Sequence, residues 1–323
     1  MSDQQNQLGN DPQWQQDVLT KLVFASLNEQ RRTRRWNAFF KAIFAGYLFL
    51  VLFMVLFPGG GEGHNKLTVG KHTALIEING VISSDARASA DHIITGLRDA
   101  FEDKDTAGII LRINSPGGSP VQAGYINDEI KRLRQKYPDT KVYAVIVDIC
   151  ASGGYYIASA ADEIYADKAS LVGSIGVVMN GFGFVDAMQK VGVERRLYTA
   201  GENKGFLDPF SPQKPEEVAH VNTLLKTIHQ QFIDVVKKGR GDKLKQNDKL
   251  FSGLIWTGEQ GVEMGLVDGL GNSSYVAREI IKAENIVDFT PRPNYLQQLA
   301  DRFGASVATK FADILNLNNM GLR

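Results

Sequence analysis

The chain has 323 residues, of which 43% are hydrophobic, so it can bury a sizeable core and a wholly disordered chain is excluded. Lysine plus arginine and aspartate plus glutamate number 36 each, so no net field attracts nucleic acid and we expect no nucleic-acid partner. The single cysteine, Cys150, excludes an internal disulfide and a cysteine-based metal cluster. We expect neither a metal nor a cofactor.

The first long apolar run is AFFKAIFAGYLFLVLFMVLF, residues 38–57, whose only charge is Lys41. As a helix it would be about 30 Å long, which matches the hydrocarbon core of a bilayer. The sequence therefore predicts a transmembrane helix, although a buried core helix is the alternative. The run is too long for a cleaved signal peptide, so we interpret it as a retained signal anchor.

Arginines concentrate on one side of this run. Four of them lie in RRTRRW, just before it, whereas PGGGEGHNK after it is nearly neutral. Because the cationic flank of a membrane span stays in the cytoplasm, residues 1–37 should be cytoplasmic and everything after Pro58 should lie outside.

Beyond a Gly-rich linker, residues 58–72, β-branched runs alternate with helical segments. The predicted strands are 73–82, 107–113 and 141–148, and the predicted helices between them are 88–103 and 120–137. Such alternation indicates βαβ units and a parallel sheet, in which ligands gather at the carboxyl ends of the strands. The loops NSPGGS and ICASGG follow two of these strands and should face one crevice.

Two later segments are amphipathic. Residues 213–238 have helical periodicity, and His220 and His229 within them should be exposed or structural. The tail, residues 291–323, carries an apolar stripe that could dock on its own domain, on a neighbouring chain or on the membrane.

The stretch CASGGYYIASAAD places Ser152 between small residues, just before a predicted helix. Ser152 could be a simple helix N-cap or a nucleophile, and Cys150 could be a rival nucleophile or a small buried hydrophobe. The segment does not fit the G-x-S-x-G turn of α/β-hydrolases. Tyr155 and Tyr156 are expected to be packing and wall residues.

None of the five histidines lies in a recognisable catalytic setting, so a base for Ser152 must be another residue type. A lysine can serve if a dry pocket favours its neutral amine. Lys204, in YTAGENKGFLDPFSP, has apolar residues nearby that could form such a pocket, although most lysines are solvated surface charges.

Four motifs occur in order: INSPGGS, ASGGYYIASAADEIYAD, SLVGSIGVV and TAGENKGFLDPFSP. Together they resemble the signal peptide peptidase A family, and the resemblance spans about residues 73–290. It implies an α/β fold of the Clp protease/crotonase type, with a parallel sheet and βαβ units, preceded here by one N-terminal transmembrane helix.

The resemblance also implies roles for individual residues. Ser152 corresponds to the nucleophile, Lys204 to the general base, and Ser174 to the serine that orients the lysine. Gly118 matches the position whose backbone N–H faces the oxyanion. Gly153 is added as a second donor from the general geometry of nucleophile turns.

The family implies a membrane-anchored serine endopeptidase that degrades hydrophobic peptides, such as cleaved signal peptides, through an acyl-enzyme. Such proteins lie in the bacterial inner membrane, with the catalytic domain on the extracytoplasmic side, and form ring- or dome-shaped homo-oligomers. The dyad could then pair within one chain or between chains. Two alternatives stay open: an inactive membrane scaffold of the same fold, and a crotonase-like acyl-CoA enzyme that needs no Ser–Lys pair.

Overall fold

The computed structural model describes residues 12–56 and 70–291. These two ranges belong to two compact units, and each is described by itself. Most of the predicted Gly-rich linker and residues 292–323 of the predicted amphipathic tail lie outside the described residues.

The first unit contains one long helix, α1 (Pro12–Leu56), which runs without a break through the basic segment and into the apolar run. Large apolar side chains are exposed along it; the exposed fraction is 64% for Phe44 and 52% for Leu48. Among the described residues, no helix combines the length and the hydropathy required to cross a bilayer. The predicted span includes Phe57, which lies outside the described residues, and stays a prediction.

The second unit is an α/β fold built on one eight-stranded sheet. The strands are β1 (His72–Asn79), β2 (Thr106–Ser115), β3 (Val142–Ala151), β4 (Glu163–Ala166), β5 (Leu171–Gly173), β6 (Ile255–Thr257), β7 (Gly269–Leu270) and β8 (Ile286–Asp288). The helices are α2 (Ala90–Glu102), α3 (Pro120–Lys136), α4 (Gly153–Ala158), α5 (Val185–Lys190), α6 (Pro215–Arg240), α7 (Gly258–Met264) and α8 (Ser273–Tyr275), which continues into a π-helix (Val276–Ile281). A short 3-10 turn (Gly241–Lys243) follows α6.

The sheet is parallel at every pairing except β5 with β6, so the predicted βαβ units and parallel sheet are confirmed. This architecture fits the expected Clp protease/crotonase-type fold. All three predicted strands and both helices between them are present. The first strand ends earlier than predicted, at Asn79, because Gly80 turns the chain with a φ of +84°. Ile82 then forms an isolated parallel bridge with Gly118.

Strand β3 changes partner along its length. Its first half pairs with β4 at Tyr143–Val145, and its second half pairs with β5 at Ile149–Ala151. On its other side it pairs with β2, where Ser115 is the partner of Cys150. The carboxyl ends of β2, β3 and β5 therefore lie side by side, so the loops that follow them meet at one edge of the sheet.

Helices α2, α3 and α4 pack on one face of the sheet because their apolar residues recur at helical spacing. In α2 the buried residues include Ile93, Leu97 and Phe101, which are four residues apart and share one face. Tyr155 of α4 is fully buried in the same core, and its hydroxyl donates to the Leu266 carbonyl at 2.8 Å. This contact fixes the helix that begins next to Ser152.

A buried ion pair secures the end of α6. The Arg240 guanidinium, 3% exposed, donates from Nη1 to Asp268 at 2.7 Å and from Nε to the Gly265 carbonyl at 3.0 Å. Burial acts to raise the pKa of Asp268, but hydrogen bonds from Arg240 and Lys243 outweigh it and the pKa is lowered. Asp268 also accepts from the Ile164 backbone N–H, so α6 is tied directly to β4.

Candidate active site

Ser152 occupies a strained turn between β3 and α4. Its backbone has φ 53° and ψ −122°, a conformation that L-residues seldom adopt. Its N–H donates to the Gly173 carbonyl, and its own carbonyl accepts from Tyr156 N, both at 2.9 Å. The Ser152 side chain makes no capping hydrogen bond, so the N-cap interpretation does not account for a serine here. Strain of this kind is concentrated at functional sites.

Ser174 follows β5 in the way that Ser152 follows β3, because Ala151 and Gly173 are register partners. Neighbouring strands are about 4.8 Å apart, so the two serines lie side by side at the edge of the sheet. Ser174 also has a positive φ, 50°. Its N–H donates to the Leu254 carbonyl at 2.8 Å, and its carbonyl accepts from Gly176 N at 2.9 Å.

The loop after β2 reaches this pair through two glycines. Gly117 and Gly118 have φ values of +105° and +149°, which favour glycine. The Gly117 carbonyl accepts from Ile82 N at 2.9 Å, and Ser119 N donates to the Ile82 carbonyl at 2.8 Å. Buried Ser115 accepts from Gly117 N at 3.1 Å and fixes the start of the loop.

The backbone amides of Gly118 and Gly153 lie close to each other beside Ser152. A Cβ built on Gly153 would lie 3.3 Å from Gly118 N. Gly118 N takes no part in the bridge to Ile82, and Gly153 is the first residue of α4, where amides have no partner within the helix. Both amides are therefore available to a ligand.

These residues line a cavity of about 710 Å³. Four of the five predicted site residues are in its lining: Ser152, Ser174, Gly118 and Gly153. Its apolar wall is formed by Val121, Tyr156, Val177, Val178, Ile228 and Phe232. Tyr156 is thus a wall residue, as expected. Sequence reasoning missed Ile228 and Phe232 of α6, since the periodicity of a helix does not reveal which loop its apolar face contacts.

Lys204, the fifth predicted residue, is not in the lining of this cavity. It is exposed, in a turn that precedes α6, and the dry pocket expected around it is not formed by its own segment. Phe206 instead packs against the ring of His220, with centroids 5.6 Å apart, and Phe210 stacks on Phe184 at 5.3 Å.

Cys150 is fully buried, two residues before Ser152. Burial raises the pKa of its thiol, because the thiolate would lose its hydration. Cys150 therefore behaves as a small core residue rather than as a rival nucleophile.

Comparison with known proteins identifies the family. Residues 134–287 match the pattern of Peptidase family S49. A Synechocystis protein whose name describes it as a "Putative protease" is 30% identical over 267 residues, which cover 77% of this chain and 93% of that protein. The "Putative signal peptide peptidase SppA" of Enterococcus faecium is 28% identical over 289 residues, which cover 80% of this chain and 83% of that one.

A further match concerns a much longer protein. The "Na(+)/H(+) antiporter NhaA" of Brucella melitensis is 51% identical over 176 residues, which are 54% of this chain. The match spans about a quarter of that protein, 24% of its length. Since the Synechocystis relative is matched over nearly its whole length and the S49 pattern includes Ser152, Ser174 and Lys204, the chain belongs to peptidase family S49, of the signal peptide peptidase A type.

Proposed function

We propose that this protein is a membrane-anchored serine endopeptidase in which Ser152 is the nucleophile and Lys204 the general base. The strained Ser152 turn carries the proposal, because it exposes a hydroxyl in a cavity directly beside two available amides. A turn of this kind is unfavourable unless the surrounding structure maintains it, and catalysis is the best-attested reason for doing so.

In the proposed reaction Ser152 Oγ attacks the carbonyl carbon of a peptide bond while its proton passes to the neutral Lys204 amine. The amides of Gly118 and Gly153 donate to the resulting oxyanion. The C–N bond then breaks, and the lysine returns its proton to the leaving amine. A water molecule repeats the sequence on the acyl-enzyme and releases the second product with Ser152 regenerated.

We further propose that Lys204 acts in the cavity of a neighbouring copy. A lysine base needs a dry environment that favours its neutral form, whereas Lys204 is exposed and outside the cavity of its own chain. Residues that precede it in the chain also expose large apolar side chains, with exposed fractions of 82% for Phe182 and 89% for Tyr198. Such a surface favours burial against another subunit, and a homo-oligomer would provide it.

Mixing two inactive variants tests this arrangement. Ser152→Ala and Lys204→Ala should each lose turnover alone, but oligomers assembled from both should regain about a quarter of wild-type turnover, because random assembly joins an intact serine to a neighbour's intact lysine in about one case in four. The measurement is hydrolysis of a fluorogenic hydrophobic peptide by full-length protein, with each variant carrying a different affinity tag.

The control replaces Lys204→Ala with the double variant Ser152→Ala/Lys204→Ala, and this mixture should stay inactive. If tandem purification proves that mixed oligomers exist and they remain inactive, the dyad does not form between chains.

The wall of the cavity supports hydrophobic peptides as the substrate class. Valine, isoleucine and aromatic side chains dominate the lining outside the polar edge formed by Ser152 and Ser174. An extended peptide with an apolar side chain would bury that side chain here, and each buried methylene adds about 0.8 kcal/mol. Remnants of signal peptides have this character.

The apolar run at 38–57, with its arginine-rich flank, supports anchoring in the inner membrane with the catalytic unit on the extracytoplasmic side. We expect the full-length protein to stay in the membrane pellet after an alkaline carbonate wash. The double change Phe44→Asp/Leu48→Asp should shift it to the supernatant, since a carboxylate in the middle of a span opposes insertion by about 3 kcal/mol.

The matched control, Phe44→Leu/Leu48→Ile, should stay in the pellet. Release of the wild-type protein by carbonate would rule out a spanning anchor.

A further inference from the structure

His229 of α6 contacts the edge of the sheet where Ser152 and Ser174 lie, although it is outside the four family motifs. Its ring Nε2 is 3.0 Å from the carbonyl oxygen of Ile175, and the side chain is half-buried. A carbonyl oxygen can only accept, so Nε2 must carry the hydrogen of this bond. Both the neutral Nε2–H tautomer and the imidazolium satisfy that requirement.

Ile175 lies in the middle of the turn that presents Ser174. Its side chain is fully buried, and the residues on either side of it, Ser174 and Gly176, line the Ser152 cavity. The turn is strained at Ser174 and closed by the bond from Gly176 N to the Ser174 carbonyl. Two hydrogen bonds fix the turn: Ser174 N donates to the Leu254 carbonyl, and His229 Nε2 donates to the Ile175 carbonyl one residue later.

The helix that carries His229 also carries part of the cavity wall. Ile228 and Phe232 are in the lining, and the Phe232 ring packs against Tyr156 with centroids 5.2 Å apart. The carboxyl end of the helix is fixed by the buried Arg240. The hydrogen bond from His229 therefore joins α6, which is firmly anchored, to the turn at Ser174. The backbone conformation of this turn sets the position of the Ser174 hydroxyl.

We propose that His229 is a positioning residue of the active site. By holding the Ile175 carbonyl it fixes the strained turn, so that the Ser174 hydroxyl stays where it orients the amine of the base next to Ser152. This inference rests on the proposed Ser–Lys function, in which Ser174 has that role. His229 itself touches neither the substrate nor the dyad.

Two variants with amide side chains distinguish the effect of the position of the hydrogen-bond donor from the effect of side-chain packing at residue 229. In His229→Gln the side-chain nitrogen can reach about as far as Nε2 and donate to Ile175, whereas in His229→Asn it is too short. We expect His229→Asn to lower kcat for the fluorogenic peptide by about tenfold to 10²-fold, the range for small misplacements of catalytic groups, with little change in KM. His229→Gln should retain most of the wild-type kcat.

His229→Leu, which keeps the bulk and removes the donor, is a second variant and should match His229→Asn. The control is Gln230→Leu, at the neighbouring and exposed position of α6. Among the described residues, the Gln230 side chain bonds only Asp234. This change should leave kcat unchanged. Thermal unfolding and size-exclusion chromatography verify that each variant is folded and assembled.

Wild-type kcat in a folded His229→Asn or His229→Leu variant would overturn the inference, as would equal losses in the Gln and Asn variants. Failure of the proposed function has a different signature, because Ser152→Ala would then keep wild-type turnover whatever residue stands at 229.

Discussion

Replacing Ser152 with alanine should reduce hydrolysis of a hydrophobic peptide by on the order of 10⁶-fold, the loss that follows removal of a serine protease nucleophile. The nearby Cys150 thiol cannot substitute as the nucleophile, because it is buried and its pKa is raised. Lys204→Ala should produce a comparable loss. A fluorophosphonate should label the wild-type protein at Ser152 and leave Ser152→Ala unlabelled, as read by mass spectrometry.

Two surface changes provide matched controls. Ser84→Ala and Lys104→Ala alter exposed residues that are absent from the lining of the cavity, so both should keep wild-type turnover. Wild-type turnover in Ser152→Ala would exclude Ser152 as the nucleophile. An inert but folded wild-type protein that no fluorophosphonate labels would favour the membrane scaffold.

The second large effect is expected from Gly117→Ala, which adds one methyl group to the loop after β2. A Cβ added at Gly117 would lie 2.7 Å from Ser152 Cβ, 2.8 Å from Gly153 N and 2.9 Å from the Ala151 carbonyl oxygen. All of these atoms belong to the rigid nucleophile turn, so Gly117→Ala must displace either the turn or its own loop. We expect kcat to fall by on the order of 10²- to 10³-fold, as when an oxyanion donor is lost.

Gly117→Ala should also lower the free energy of unfolding by about 1–3 kcal/mol, because alanine is strained at a φ of +105°. Urea titration and peptide hydrolysis measure the two effects on one sample. The control is Gly124→Ala within α3, where nothing lies within 4 Å of the added Cβ. It should keep wild-type kcat and gain up to about 1 kcal/mol of stability, since alanine favours a helix.

The central fold could be predicted because its signals are local. Residues 107–113 and 141–148 are apolar runs that a strand buried on both faces requires, and helical periodicity between them indicates parallel crossovers. Pro116-Gly117-Gly118, in the predicted loop NSPGGS, has the chemistry of a turn, and both glycines have positive φ. The short strands β4 to β8 are not predicted, since two to four residues carry no periodic signal.

The composition of the site was less predictable. The resemblance placed Ser152, Ser174, Gly118 and Gly153 together, and they line one cavity. It did not reveal that Lys204 lies outside that cavity, because motifs fix the order of residues along a chain and not their positions in space. The hydrogen bond between His229 and Ile175 joins residues 54 positions apart, and no local sequence pattern predicts such a contact.

The two strained serines have a consequence for how this sequence can evolve. Ser152 and Ser174 both hold positive φ values that glycine adopts without strain, so glycine at either position would relieve backbone strain of about 1–3 kcal/mol while removing a hydroxyl. Selection for stability alone would therefore drive both positions toward glycine. In the proposed function, the two hydroxyls are therefore present at a cost in stability.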